Sequence, residues 1–166
     1  MPTYASVLLT FDPLRLSIKD AEALAAGVAR TGAAGHARHA AAVILIPTLY
    51  DGPDLAETAE RSGLTVDELV AAHAGRDYRA YFLGFLPGFA YCGPLDPRIK
   101  APRRAEPRER VPAGSVAIAD GQTAVYPLPS PGGWQLVGRT ATRVFDPSAD
   151  PPALIRAGDL VRFVPA

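Results

Sequence analysis

Apolar positions alternate along residues 4–11, with Val7, Leu9 and Phe11 on one side, the period of a half-buried strand. Ser17 reads as a helix N-cap with Asp20 three residues on, which predicts an alanine-rich helix to residue 30 that stops at Gly32. Residues 32–39 follow as loop. The short, apolar, branched run 41–46 predicts a buried strand closed by Pro47. Two short helices come next. Asp54 can cap residues 55–62, with Gly63 as the stop, and Thr65-Val66-Asp67-Glu68 forms a capping box for a helix to His73, stopped by Gly75.

The second half changes character. Along residues 77–85, Tyr78, Ala80 and Phe82 face one way and Arg79, Tyr81 and Leu83 the other, as in a strand. A long loop over residues 86–114 is predicted, then strands at 115–119 and 122–126 joined by Asp120-Gly121, a strong hairpin signal. Runs 134–139, 143–145 and 160–164 complete the strands. Of the 17 prolines, 12 lie between Pro87 and Pro152, so long helices are excluded there: proline removes a donor and clashes with the preceding turn. Strands clustered after residue 77 and joined by rigid loops predict a closed or nearly closed barrel or sandwich, and the earlier helices make the whole α+β, mainly β.

With 166 residues, 48% of them hydrophobic, the chain can bury a core without help from metal or disulfide. Its single cysteine, Cys92, excludes an internal disulfide framework and suits a reducing compartment. No basic-plus-apolar leader opens the sequence, and no run approaches the ~20 apolar residues of a membrane span, so a soluble cytoplasmic protein with no membrane partner is expected. Seventeen basic residues balance seventeen acidic ones, which argues against a nucleic-acid partner. The balance hides two opposed runs. Residues 51–68 hold six carboxylates against Arg61, and residues 98–110 hold six basic groups against Glu106 and Glu109. The acidic run is explained by helix first turns, where carboxylates complement the dipole. The basic run is almost all arginine, whose fork suits carboxylate or phosphate.

His36, His39 and His73 carry no metal-binding pattern, and no metal site is expected. Cys92 has no visible base and reads as an inert thiol. Neither Ser115 nor Ser130 sits in a Gly-x-Ser-x-Gly elbow, and Ser130-Pro131-Gly132-Gly133-Trp134 lacks the Gly-Lys-Ser/Thr end of a phosphate loop. What stands out is density. Gly84-Phe85-Leu86-Pro87-Gly88-Phe89-Ala90-Tyr91, Pro102-Arg103, Pro107-Arg108, Val111-Pro112-Ala113-Gly114-Ser115, Gln122, Tyr126-Pro127, the Ser130 to Trp134 string and Gly138-Arg139-Thr140 crowd a short stretch of conformationally restricted loop. Aromatics with arginines and an amide suit a small planar, anionic amide or acid.

The same residues carry a family resemblance. They resemble the signature of subunit 1 of allophanate hydrolase, a family that includes the B-type subunit of ATP-dependent 5-oxoprolinase and the Kip-type inhibitor of a sporulation histidine kinase. Ile46-Pro47, Gly52-Pro53-Asp54-Leu55, residues 69–73 and Gly158-Asp159-Leu160-Val161-Arg162-Phe163 extend the match. The resemblance implies a cyclophilin-like β-barrel over residues 41–166, preceded in residues 1–40 by part of a small α/β domain that lacks a first strand and helix. It implies a subunit of a 5-oxoprolinase or allophanate hydrolase-type amide hydrolase, related to the carboxyltransferase half of urea carboxylase. Such a subunit works with ATP, a larger homologous partner subunit and a third, lactam-utilisation-type subunit. The alternative it carries is an inhibitor that docks on a sensor histidine kinase.

Residue chemistry then assigns the roles. Arg103 and Arg108 would hold a carboxylate or phosphate, and Gln122 and Ser115 would hydrogen-bond the lactam amide. Phe89, Tyr91 and Trp134 would wall the pocket, with Ser130, Gly132, Gly133 and Arg139 completing the binding set. His73 is the reserve for acid/base work, with Ser115 the other catalytic candidate.

Overall fold

The computed structural model describes residues 10–31 and 43–166. The chain divides into two compact units, Met1–His39 and Ala40–Ala166. In the first, helix α1 (Ile18–Thr31) opens as the sequence predicts: the Ser17 hydroxyl accepts the Asp20 N–H at 3.2 Å and donates to the Asp20 carboxylate at 2.6 Å. The strand expected over residues 4–11 lies almost wholly outside the described residues, as does the loop at 32–39.

The second unit starts with strand β1 (Val43–Thr48), helix α2 (Leu55–Ser62) and helix α3 (Val66–Ala74). Strands β2 (Tyr78–Leu83), β3 (Ala90–Gly93), β4 (Arg108–Val111), β5 (Ser115–Ala119), β6 (Gln122–Val125), β7 (Ser130–Gly132), β8 (Gln135–Arg139) and β9 (Leu160–Pro165) follow. Seven of them form one sheet in the order β1-β9-β2-β3-β6-β5-β8, with β1 and β9 parallel and the other pairs antiparallel; β4 and β7 make a separate ribbon. Just past β1, Leu49 exchanges both backbone hydrogen bonds with Arg139 at the end of β8, each 2.9 Å. That exchange brings the two edges together, so the sheet is a nearly closed barrel. Gly52 makes the seam possible, because a Cβ there would overlap the β8 backbone at Leu136.

Three strands of this sheet are buried on both faces, and their side chains sort by face. Val116 and Ile118 of β5, Val125 of β6 and Val137 of β8 enter the main core with Leu55 and Ala59 of α2, Leu69 and Ala72 of α3, and Ile46, Tyr78 and Phe163. The alternate positions Ala117, Ala119, Ala124 and Leu136 enter a second cluster with Phe89, Val111, Tyr126 and Trp134. Alternation sets the two faces. The three alanines leave room for the large rings of the second cluster, which come from loops rather than helices.

Several expectations are corrected. Residues 86–114 are not one loop, since β3 and β4 lie within them, and β7 lies in the Ser130 string. Residues 143–145 form no strand; Phe145 makes an isolated bridge to Ala153. Pro47 does not close β1 but pairs with Val164 inside it, which an edge strand tolerates. In β2 a register irregularity between Ala80 and Phe82 breaks the alternation: Leu83 packs against the main core, and Phe82 turns its ring to Tyr91 at 5.8 Å.

Candidate functional site: an aromatic cleft

The cleft is built on the alanine face of the sheet. The loop before β3 turns tightly: Gly84 N–H reaches Phe89 O at 3.1 Å, Leu86 N–H reaches Gly84 O at 2.8 Å, and Phe89 N–H reaches Leu86 O at 3.0 Å. Gly88, at φ +78, has no room for a Cβ, which would stand 2.6 Å from the Phe145 Cβ. This folds Phe89 inward to 1% exposure. Its ring meets Tyr91 at 4.9 Å, Tyr126 at 5.2 Å and Trp134 at 5.6 Å, each edge to face, the arrangement aromatic quadrupoles favour. The Tyr126 hydroxyl comes close to the backbone at Gly132. A Cβ at Gly132 would overlap that hydroxyl.

Above these rings lies a cavity of about 240 Å³ lined by Phe85, Phe89, Tyr91, Arg103, Pro107, Tyr126, Pro131, Gly132, Gly133 and Trp134. Arg103 supplies the only formal charge in that lining. Its guanidinium carbon stands 5.9 Å from the Trp134 ring centroid, and its Nε donates to Asp120 at 2.8 Å. Burial raises the Tyr91 and Tyr126 phenols above their ordinary range, with the Arg103 charge opposing, so both stay protonated at neutral pH.

One carboxylate ties the walls together. Asp54, 3% exposed, accepts from Arg108 at 2.7 Å and Arg104 at 3.3 Å through Oδ1, and from the Leu136 N–H at 2.7 Å through Oδ2. It therefore fixes the arginine-bearing loop against β8, just after Trp134. Arg104 N–H adds a 2.7 Å bond to Gly133 O. The expected side-chain cap on α2 is absent, because the Asp54 carboxylate is engaged by these groups. Arg108, expected from sequence to hold a ligand carboxylate or phosphate, gives its Nη2 to this internal carboxylate, and its buried Nη1 has no hydrogen-bond partner.

Of the residues singled out from sequence, Phe89, Tyr91, Arg103, Gly132, Gly133 and Trp134 come together in the cleft. Ser130 and Arg108 sit beside it in the β4–β7 ribbon. Gln122 is buried in β6 opposite Ala119, and Ser115 is buried opposite Arg139; neither lines the cleft. Arg139 bonds Asp51 at 2.8 Å near the seam. His73 is fully buried on the other face of the sheet, its Nδ1 2.7 Å from the Tyr50 hydroxyl and its Nε2 2.9 Å from the Thr123 hydroxyl. Burial lowers its pKa to about 3 and raises that of Cys92 to about 12. His73 is built as a neutral core residue, and the Cys92 thiol, 1% exposed, as an inert one. Among the described residues, no group of three His, Cys, Asp or Glu comes together to hold a metal, and no helix is long and apolar enough to cross a membrane.

Sequence reasoning did not assign Phe85, Pro107, Tyr126 and Pro131 to the site, nor Asp54 to its frame. Phe85 carries a signal, since it stands in the densest glycine and proline string. Its φ of +68 is an outlier for a bulky residue, of a kind that costs about 1–3 kcal/mol.

Known proteins are similar to this chain over most of its length. The B-type subunit of 5-oxoprolinase from Escherichia coli O157:H7 is 54% identical over 125 residues, which cover 74% of this chain and 57% of the relative. Its counterpart in 5-oxoprolinase from Bacillus subtilis strain 168 is 48% identical over 125 residues, covering 74% of this chain and 52% of the relative. The chain thus spans little more than half the length of these curated relatives. The crystal structure of a conserved uncharacterized protein, PH0987 from Pyrococcus horikoshii, superposes with a TM-score of 0.72 at 43% identity, over 94% of this chain and 72% of that one. The resemblance read from the loop motifs is borne out by these relatives. With residues 1–155 matching the carboxyltransferase domain, subdomain C and D, the chain belongs to that family.

Proposed function

We propose that the chain is the lactam-binding part of a 5-oxoprolinase-type amide hydrolase and acts together with a larger, homologous partner subunit. The observation that carries this reading is the cleft itself: apolar rings around one arginine, in a chain whose relatives are named as B-type subunits of 5-oxoprolinase. A cavity of about 240 Å³ lies below the usual range for drug-sized ligands and suits a molecule the size of a five-membered lactam acid. Asp120 takes only the Nε of Arg103, which leaves the Nη donors for the ligand carboxylate. Phe89, Tyr91 and Trp134 wall the ring. The Tyr126 phenol, kept protonated at neutral pH by burial, has a proton to donate to a ligand carbonyl.

The cleft lining holds no carboxylate, histidine or serine, so it binds and orients, and the partner supplies the groups that open the amide. ATP, which the family resemblance brings in, does not fit the described residues. Carboxylates stand at the first turns of all three helices, where a phosphate would sit: Asp20, Glu57, and Asp67 with Glu68. An arginine-rich cavity of about 580 Å³ is lined also by Glu57 and Glu106, and its Arg61 and Arg104 are each paired with a carboxylate. We therefore assign the nucleotide step to groups outside the described residues.

Mixing the chain with its larger partner, the third lactam-utilisation-type subunit, ATP and 5-oxoproline is expected to release glutamate, and omitting the chain is expected to abolish release. A complete complex without turnover would overturn the reading.

A further inference from the structure

Phe85 combines three properties that do not serve folding. It has φ +68, and apart from Asp120 it is the only described non-glycine residue with positive φ. Asp120 occupies a hairpin turn that tolerates an aspartate there, whereas a phenylalanine has no local side-chain bond to offset the conformation. The Leu86 N–H to Gly84 O bond, 2.8 Å, closes a three-residue turn of the rare, strained hand around it. Nor does burial compensate: the residue is 60% exposed, and its ring meets Phe89 edge-on at 5.5 Å. Glycine would adopt the same backbone freely, as Gly88 does at φ +78 three residues on. The turn therefore holds a large ring at the mouth of the cleft at a cost to stability.

We propose that Phe85 is a specificity-determining residue of the cleft, whose ring covers the apolar face of the bound lactam while Arg103 holds its carboxylate. This rests on the reading of the cleft as a lactam site. The strained turn presents the ring before ligand arrives, so the side chain needs little ordering on binding. Its contribution is made to the ground state and transition state alike, which places the effect in KM.

The test compares Phe85→Gly and Phe85→Leu with the parent in the assembled, ATP-supplied complex. Phe85→Gly is expected to melt at or above the parent temperature, because the backbone is relieved, while KM for 5-oxoproline rises about tenfold and kcat stays within about threefold. Phe85→Leu, which keeps an apolar cover, is expected to recover part of the KM. An active parent with an unchanged KM in Phe85→Gly overturns the inference alone. So does a lower melting temperature in Phe85→Gly, which would make the ring structural, or loss of partner association on size-exclusion chromatography, which would make it a subunit contact. A parent complex inert toward 5-oxoproline removes the lactam reading and this inference with it.

Discussion

The two faces of the β6-β5-β8 strands solve the same packing problem differently. On one face, branched residues meet two helices, and a buried histidine there, His73, is satisfied on both ring nitrogens by Tyr50 and Thr123. On the other face, alanines meet aromatic rings delivered by loops, the fixing bonds run through a buried carboxylate to two arginines, and a cavity remains. The helix-covered face closes; the loop-covered face leaves a mouth. The cavity follows from covering a sheet with restricted loops whose rings cannot fill the space above small side chains.

That contrast can be broken from either side. The largest effect is expected on the closed face. His73 has a folded pKa of about 3 against an ordinary 6.5, so the unfolded chain binds the extra proton between those values. Stability from neutral His73 is complete above about pH 6.5 and is lost as pH falls toward 3, by on the order of 3–5 kcal/mol. Urea unfolding across that range is expected to show a steep decline that His73→Gln flattens; equal slopes in both proteins would refute the assignment. The carboxylates Asp96 and Asp146, each lowered to about 2 chiefly by hydrogen bonds with Arg98 and Ser148 respectively, act only at lower pH, between about 4 and 2.

A smaller effect is expected on the open face. Asp54→Asn leaves the partly buried Arg104 and Arg108 without their counter-charge, at a cost of about 2–3 kcal/mol after allowing for their partial exposure. Because the carboxylate fixes β8 just after Trp134, the same variant is expected to shift Trp134 emission to the red in the folded protein. Unchanged emission with an unfolding free energy within about 0.5 kcal/mol of the parent would mean that Asp54 does not frame the cleft.

Local signals are the more legible ones. Caps at Ser17 and Thr65 and the Asp120-Gly121 turn are local chemistry, and they appear where the sequence puts them. The aromatic and arginine cleft is legible as composition, since residue type alone singles out Phe89, Tyr91, Arg103 and Trp134. Illegible are the features decided by distant partners. Asp54 reads as a helix cap until Arg104, Arg108 and Leu136, about 50 to 80 residues away in sequence, claim its oxygens. The β4 strand, Arg-Glu-Arg-Val, has no apolar period because it pairs in a two-stranded ribbon with one buried residue. In β2, one bulge reverses the faces of Phe82 and Leu83 without changing a letter of the pattern.

The central claim, that the loop-covered face is a lactam acid site, has a built-in reporter, because Trp134 is the only tryptophan in the chain and lines the cavity. Titrating the purified chain with 5-oxoproline while recording Trp134 emission is expected to give a saturable change that Arg103→Gln weakens at least about tenfold, as loss of a charge-assisted contact implies. Emission that stays flat, or a response that Arg103→Gln leaves intact, would contradict the account.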